Sequence, residues 1–231
     1  MSILETLKRH NYRIGRGQAI IYNKTKTDIF SEGFLGELYF KFKGTRFSGR
    51  QENENSILET MFCGMPDVSF NAIVPYLATR LPLVVAGVWQ EKRFTPVGIG
   101  FPTVICGAAL GQGDQRACFY GYGFLPEWWG SEEIEPLSML ALALTFQELN
   151  LLAIHGLRYD SNDLTARFTR RLGFKDVAKI PHYMLKRGKL VGATLSSLTR
   201  EDFEAYVERA LLQEFGDESD SENPGQSNLF E

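Results

Sequence analysis

The sequence predicts an α/β fold: a mixed central sheet flanked by helices, with an N-terminal extension and an added C-terminal helix. Three observations carry this. Three strand-like runs follow one another between residues 82 and 125, joined by polar or glycine-bearing turns, which reads as an antiparallel meander. A long, almost wholly apolar helix follows at 136–149. The chain then alternates strand, helix and a closing strand pair, the pattern of a layered α/β sheet.

Taken in order, residues 1–50 form a basic extension in which 18–50 reads as short strands. There Leu38, Phe40 and Phe42 alternate with Glu37, Tyr39, Lys41 and Lys43, and Gly33, Gly36, Gly44 and Gly49 mark turns. The polar run 50–55 is a loop, after which Ser56 caps a helix bearing Ile57, Leu58, Met61 and Phe62; a second helix is expected over 69–80. The strands are PLVVAGVWQ (82–90), TPVGIGFPTVICG (95–107) and ACFYGYGFL (117–125). In the long helix Leu137, Leu140, Ala141, Leu144 and Leu149 recur near helical spacing, Pro136 suits a first helical position, and the apolar circumference places the helix against the sheet. LLAIHGLRY (151–159) is the next strand, 161–172 an amphipathic helix, and DVAKIP with LVGATLSSL the closing pair. The core is therefore expected to span 51–198. Thr199 followed by Asp202 opens a last helix over 199–215, a hydroxyl cap with an acid three residues on. The run 216–231 is acidic and turn-rich, the composition of a disordered tail.

Charge is uneven along the chain. Residues 1–50 hold ten Lys/Arg against four Asp/Glu, and 217–231 five acids and no base, so the two ends can attract each other. The alternation at 38–43 reads as a solvated strand face rather than a nucleic-acid surface. Three cysteines without Cys-x-x-Cys spacing suggest neither a disulfide framework nor a metal site, and a reduced, cytoplasmic setting is expected. The start MSILETLKRHNY lacks the apolar core of a signal peptide, and Gln147, Glu148 and Asn150 interrupt the longest apolar run, so a soluble, membrane-free protein is expected.

Two motifs carry a resemblance. Asn162, Thr165, Arg171 and Leu172-Gly173-Phe174 are spaced at plus three, plus nine and plus ten to twelve from the Asn. Earlier, Gly121-Tyr122-Gly123-Phe124-Leu125-Pro126-Glu127-Trp128 leads through Gly130 into the apolar helix. With the element order from Leu83 to Leu198, these resemble the GNAT superfamily of acyl-CoA N-acyltransferases, nearest the branch that acetylates ribosomal-protein N-termini. The resemblance covers roughly half the chain. It implies transfer of an acetyl group from acetyl-CoA to a primary amine. It also implies cofactor contacts at the Phe124 and Leu125 backbone, Gly130, Asn162 and Thr165. No catalytic residue is assigned. Many such enzymes place a tyrosine seven residues after the Asn to protonate the leaving thiolate; Thr169 stands there.

The chain departs from the family pattern at the helix entrance. Trp129 occupies an Arg/Gln position, Glu132 a glycine position and Ile134 a position usually small. A glycine loop and a helix N-terminus hold the cofactor's pyrophosphate through free amides and the helix dipole. Glu132, Glu133 and Glu135 would instead satisfy that helix end, each by ~0.3–1 kcal/mol. They would also repel an anion by roughly 4 kcal/mol per charge at 4 Å and an effective dielectric near 20, before salt screening. The expected activity is therefore that of an acetyltransferase whose cofactor binding is impaired, and the alternative is a non-catalytic protein of this fold reused for protein binding or assembly. Ser131 with the glutamates equally reads as an ordinary N-terminal cap, and Asn162 as the cap of the next helix. His155 and His182 read as structural, and one of Trp128 and Trp129 as an exposed aromatic suited to a protein contact. At the C-terminus, Gln226, Leu229 and Phe230 resemble the peptide by which bacterial proteins dock on the replication sliding clamp, a contact a mobile tail could make.

Overall fold

The computed structural model describes residues 2–22, 83–106, 116–186 and 189–219. The elements are helix α1 (Ile3–Arg9), strands β1 (Arg13–Ile14), β2 (Gly17–Tyr22), β3 (Leu83–Gln90), β4 (Arg93–Cys106) and β5 (Ala117–Phe124), and a 3-10 turn at Pro126–Trp128. After these come α2 (Ile134–Glu148), β6 (Ala153–Tyr159), α3 (Asp163–Arg171), β7 (Lys175–Lys186), β8 (Lys189–Thr199) and α4 (Arg200–Ser219). The strands form one sheet in the order β1-β2-β3-β4-β5-β6-β8-β7. Every neighbouring pair is antiparallel except β5 and β6, which run parallel.

The sheet follows from the pattern. The meander β3-β4-β5 forms as the alternation predicts, and β2 extends it by pairing Gly17–Tyr22 with Leu83–Val88. Parallel neighbours need a crossover, and α2 supplies it between β5 and β6. Because α2 lies under the sheet on one side and meets α1 on another, its apolar circumference is buried from Leu137 through Phe146. Phe146 stacks on Phe203 of α4 with ring centroids 5.2 Å apart, which draws the C-terminal helix into the same core. Two glycines of β4 make room for the aromatics of β5. A Cβ at Gly98 would lie 2.8 Å from the Gly123 carbonyl and against the Phe124 ring, and one at Gly100 would collide with the Tyr120 phenol. That phenol accepts a hydrogen bond from Thr145 of α2 at 2.9 Å, pinning helix to strand.

Some boundaries move from the sequence reading. α2 begins at Ile134, so Pro136 is its third residue, where a missing N–H still costs no intrahelical bond. Residues 3–9 form a helix that the sequence reading passed over. Ser2 caps it by accepting from the Glu5 amide at 3.4 Å, and Leu4 and Leu7 are buried in the core. The Thr199 cap holds: its hydroxyl accepts from the Asp202 amide at 3.1 Å and donates to the Asp202 carboxylate at 2.9 Å. The expected strands near 38–43, the helices over 56–62 and 69–80, and the clamp-like segment with Gln226, Leu229 and Phe230 lie outside the described residues.

Candidate functional site

The site begins where two strands part. β5 and β6 pair over three positions, Ala117 with Ala153, Cys118 with Ile154 and Phe119 with His155. Beyond Phe119, β5 stays on β4 as far as Phe124, while β6 stays on β8 as far as Tyr159. The two strands continue without each other, leaving a wedge that opens toward the loop before α2 and the start of α3.

One wall of the wedge is backbone. The Leu125 amide donates to Val97 O on β4 at 2.8 Å, so in an antiparallel ladder Phe124 turns its N–H and C=O the other way, toward β6. The Phe124 carbonyl there accepts from the Trp129 indole at 2.8 Å. Of the two expected backbone contacts, Phe124 therefore faces the wedge, whereas the Leu125 amide is committed to the sheet. Tyr122, two residues back, shares Phe124's orientation. Its side chain lies on the α2 side of the sheet, where its ring meets Phe168 of α3 at 6.1 Å. Its hydroxyl is buried and has no hydrogen-bond partner; burial, eased slightly by the Arg158 charge from β6, pushes the phenol well above its ordinary range.

The opposite wall is polar and tightly paired. Arg158 of β6 is buried and donates to the Asp176 carboxylate at 2.8 Å, and Arg170 of α3 donates to the same carboxylate at 2.8 Å. Ser196 also donates to Asp176, at 3.0 Å. The Arg158 guanidinium, then the Arg170 and Ser196 bonds, hold Asp176 ionised far below the usual carboxylate range. This cluster ties β6, β7, β8 and α3 together. At the vertex, on the other face of the sheet, His155 packs beside Phe119 with ring centroids 5.6 Å apart. Its Nδ1 is buried without a partner, and burial lowers its pKa, so the imidazole is neutral near pH 7.

Two helix N-termini frame the mouth. At α3, Asn162 Oδ1 accepts from the Thr165 amide at 3.2 Å, the cap that the sequence allowed. Thr165 is thereby tied to the cap through its amide, and Thr169, at the family's tyrosine position, turns its hydroxyl back onto Thr165 O at 2.8 Å. At α2 the cap position is Glu133, and no side-chain cap forms. Ser131 does not take the role its type suggested. Its hydroxyl is buried without a well-formed hydrogen bond, although it lies close enough to help hold the Glu133 carboxylate ionised. Gly130 sits at φ +79, a left-handed conformation that suits glycine at the loop's turn.

Two of the three acids at α2, Glu133 and Glu135, have partners that come from other elements. Arg16, from the turn between β1 and β2, pairs with Glu133 and is the main reason that carboxyl stays ionised below its ordinary range. Tyr206 of α4 donates to Glu135 at 2.9 Å, and Arg171 stands 3.8 Å from the same carboxylate. The local field is thus less hostile to an anion than the loop sequence alone implies. Arg16, 117 positions away from Glu133, had no signal in the sequence to mark it. Tyr122 could have been singled out by lying on the strand that precedes the crossover helix. Trp128 packs on the core and Trp129 is the exposed one, as expected of the pair.

A small apolar void lies against Tyr120, Tyr122, Phe124, Ser138 and Leu172, with about 10 Å³ for a water-sized sphere. That is at the lower limit for one water, so it is a packing defect and not a ligand chamber. Among the described residues no group of three or more His, Cys, Asp or Glu is placed to hold a metal, and no helix is long and apolar enough to cross a membrane.

A splayed parallel pair in a mixed sheet, with one helix N-terminus at its mouth and a second helix after the partner strand, defines the GNAT acyltransferase fold, and this chain has that fold. The solved structures agree. The spermidine N-acetyltransferase from Vibrio cholerae, in complex with CoA and spermine, matches with a TM-score of 0.60 at 13% identity, over 81% of this chain and 98% of that one. A chimera built on that spermidine N-acetyltransferase matches with a TM-score of 0.59 at 14% identity, over 84% of this chain and 100% of that one. A variant of the Vibrio cholerae spermidine/spermine N-acetyltransferase gives 0.55 at 14% over 84% and 99%. No protein-family model matches the sequence, and the curated proteins give no match.

Proposed function

We propose that the chain transfers an acetyl group from acetyl-CoA to a primary amine, with the wedge between β5 and β6 as the seat of the thioester arm. The observation that carries this is the loss of pairing after Phe119 and His155, which leaves backbone polar groups of β5 facing a gap. The likeness to N-acetyltransferases of the same fold supports it, although fold alone does not assign chemistry.

In this reading the Phe124 backbone, once released by Trp129, hydrogen-bonds the amide-bearing arm of the cofactor. The amides after Gly130 and the Arg16 guanidinium meet its diphosphate, at a helix N-terminus whose dipole favours an anion. Asn162 and Thr165 flank the arm from α3. The cofactor supplies an activated acyl group when bound. The protein supplies position, donors for developing charge and shelter from water. A neutral imidazole at His155 lies at the vertex on the face away from α2, where an incoming ammonium could lose its proton.

A second reading has a specific observation behind it. Tyr122 and Phe168 meet across the wedge, Trp129 covers the Phe124 carbonyl, and the void below is water-sized. A scaffold reused for protein binding or assembly would leave the slot filled in this way. The assay that separates the two measures thiol release from acetyl-CoA over primary amines, including spermidine and peptides with a free N-terminus. Turnover with any of them, saturating in both substrates, supports the enzyme. Absence of turnover together with absence of acetyl-CoA binding assigns the chain to the scaffold reading.

A further inference from the structure

The segment between β5 and α2 makes two contacts through its own side chains, and each ends on a group that the acetyl-CoA reading assigns to the cofactor. The Trp129 indole donates to the Phe124 carbonyl, which faces the wedge. Four residues on, the Glu133 carboxylate meets the Arg16 guanidinium, with its own backbone amide and the Ser131 hydroxyl beside it. A guanidinium, a backbone amide and a hydroxyl at a helix start are the donors that an oxyanion takes. An N–H on a wedge carbonyl is what an amide-bearing arm offers. One stretch of chain therefore carries a counterpart to both the neutral and the anionic part of the ligand.

The ends of that stretch are anchored and its middle is not enclosed. Trp128 packs on the core and Ile134 is buried in it, whereas Trp129, Gly130 and Arg16 are exposed. Gly130 turns the chain at a positive φ, and no atom lies within 4 Å of where its Cβ would stand. An exposed ion pair and a single neutral hydrogen bond are weak enough to open at the surface without disturbing the core. We infer that 129–133 is a latch: in the free protein Trp129 fills the arm's place on Phe124 and Glu133 the diphosphate's place on Arg16, and the wedge opens to acetyl-CoA when the two contacts release together. This rests on the acetyl-CoA reading above.

A latch weakens every part of the ligand alike, because apparent affinity scales with the open fraction. Two independent contacts would each compete only with the part they imitate. The test is NMR titration of the full chain with acetyl-CoA, with pantetheine, which has no phosphate, and with ADP, which has no arm. The chains compared are the wild type, Trp129→Phe, which keeps a ring without the donor, and Glu133→Gln, which keeps the shape without the charge. The crossed pairs are the informative ones, since removing a carboxylate helps any anion. The expected result is that Glu133→Gln tightens pantetheine and Trp129→Phe tightens ADP, each by roughly threefold, the weight of one such contact. Acetyl-CoA should bind both variants more tightly than the wild type. Pantetheine unmoved by Glu133→Gln and ADP unmoved by Trp129→Phe overturn the latch and leave the acetyl-CoA reading standing. So does acetyl-CoA binding that neither pantetheine nor ADP displaces, since the two parts would then have no seats where the latch places them. Failure of acetyl-CoA to bind the wild type and both variants overturns both. A variant that no longer melts cooperatively also overturns the latch, because the contact would then hold the fold and not only the loop.

Discussion

The two helices that begin at the mouth of the wedge are closed in different ways. α3, nine residues long, ends its free amides on its own chain through the Asn162 cap. α2, fifteen residues long, has Glu133 at the cap position, no side-chain cap, and a carboxylate held by Arg16 from another part of the sheet. A self-capped terminus is a stability device, because its donors are satisfied whether or not a ligand is present. A terminus whose acid pairs with an arginine from another element has a positive group beside its amides. In the proposed acetyl-CoA reading, the α3 start is structural and the α2 start is the one that meets the anion.

Trp129→Ala should give the largest effect. The indole covers the Phe124 carbonyl with one neutral hydrogen bond, worth about 0.5–1.5 kcal/mol. Removing it should raise acetyl-CoA affinity by roughly two- to tenfold in a calorimetric titration. A fall in affinity would show that Trp129 holds the cofactor and does not exclude it. Asn162→Ala should cost about 1 kcal/mol, within the range of lost N-caps, and lower the melting temperature by roughly 2–4 °C for a chain of this size. Its effect on acetyl-CoA affinity should be small if α3 is the structural start.

Lower in the wedge, pH probes the vertex. The folded His155 pKa lies below the ordinary value of about 6.5, so the unfolded chain binds more protons between the two values. Its contribution to stability is full above about pH 6.5 and is lost as pH falls toward the folded value. Chemical denaturation at stepped pH from 7.5 down to 5 should show stability declining through that window. His155→Phe should flatten the decline. The ionised Asp176, Asp202 and Glu133, whose folded values are depressed, contribute losses at lower pH, as it falls below the ordinary carboxylate range. Ser131→Ala should do least, within about 0.5 kcal/mol by the same denaturation, since its hydroxyl caps nothing. A loss near 1 kcal/mol would make α2 a self-capped helix after all.

The fold was legible in the sequence wherever local pattern and tertiary environment agree. β3, β4 and β5 follow from alternation, α2 from an apolar circumference that only a buried crossover tolerates, and α4 from the Thr199 and Asp202 pair. α1 was also legible, since Ser2 and Glu5 stand at capping-box spacing before Leu7. The α3 cap was readable from Asn162 and the helix after it. What lay beyond reach was long-range partnership. The three glutamates looked like a block of negative charge because the partners of two of them, Arg16 for Glu133 and Tyr206 and Arg171 for Glu135, come from other elements. Equally, which of Phe124 and Leu125 offers its amide depends on the register with Val97, and register is a property of the paired strands. The orphaned atoms of Tyr122 and His155 appear once the strands are seen to part.

Hydrogen–deuterium exchange of the full chain with and without saturating acetyl-CoA tests the central assignment most directly. Slowed exchange at the Tyr122 and Phe124 amides and across Gly130–Glu133, with the already capped Thr165 amide unchanged, is the predicted result. Unchanged exchange from 120 to 134 at saturating ligand, or protection confined to 162–166, would contradict it.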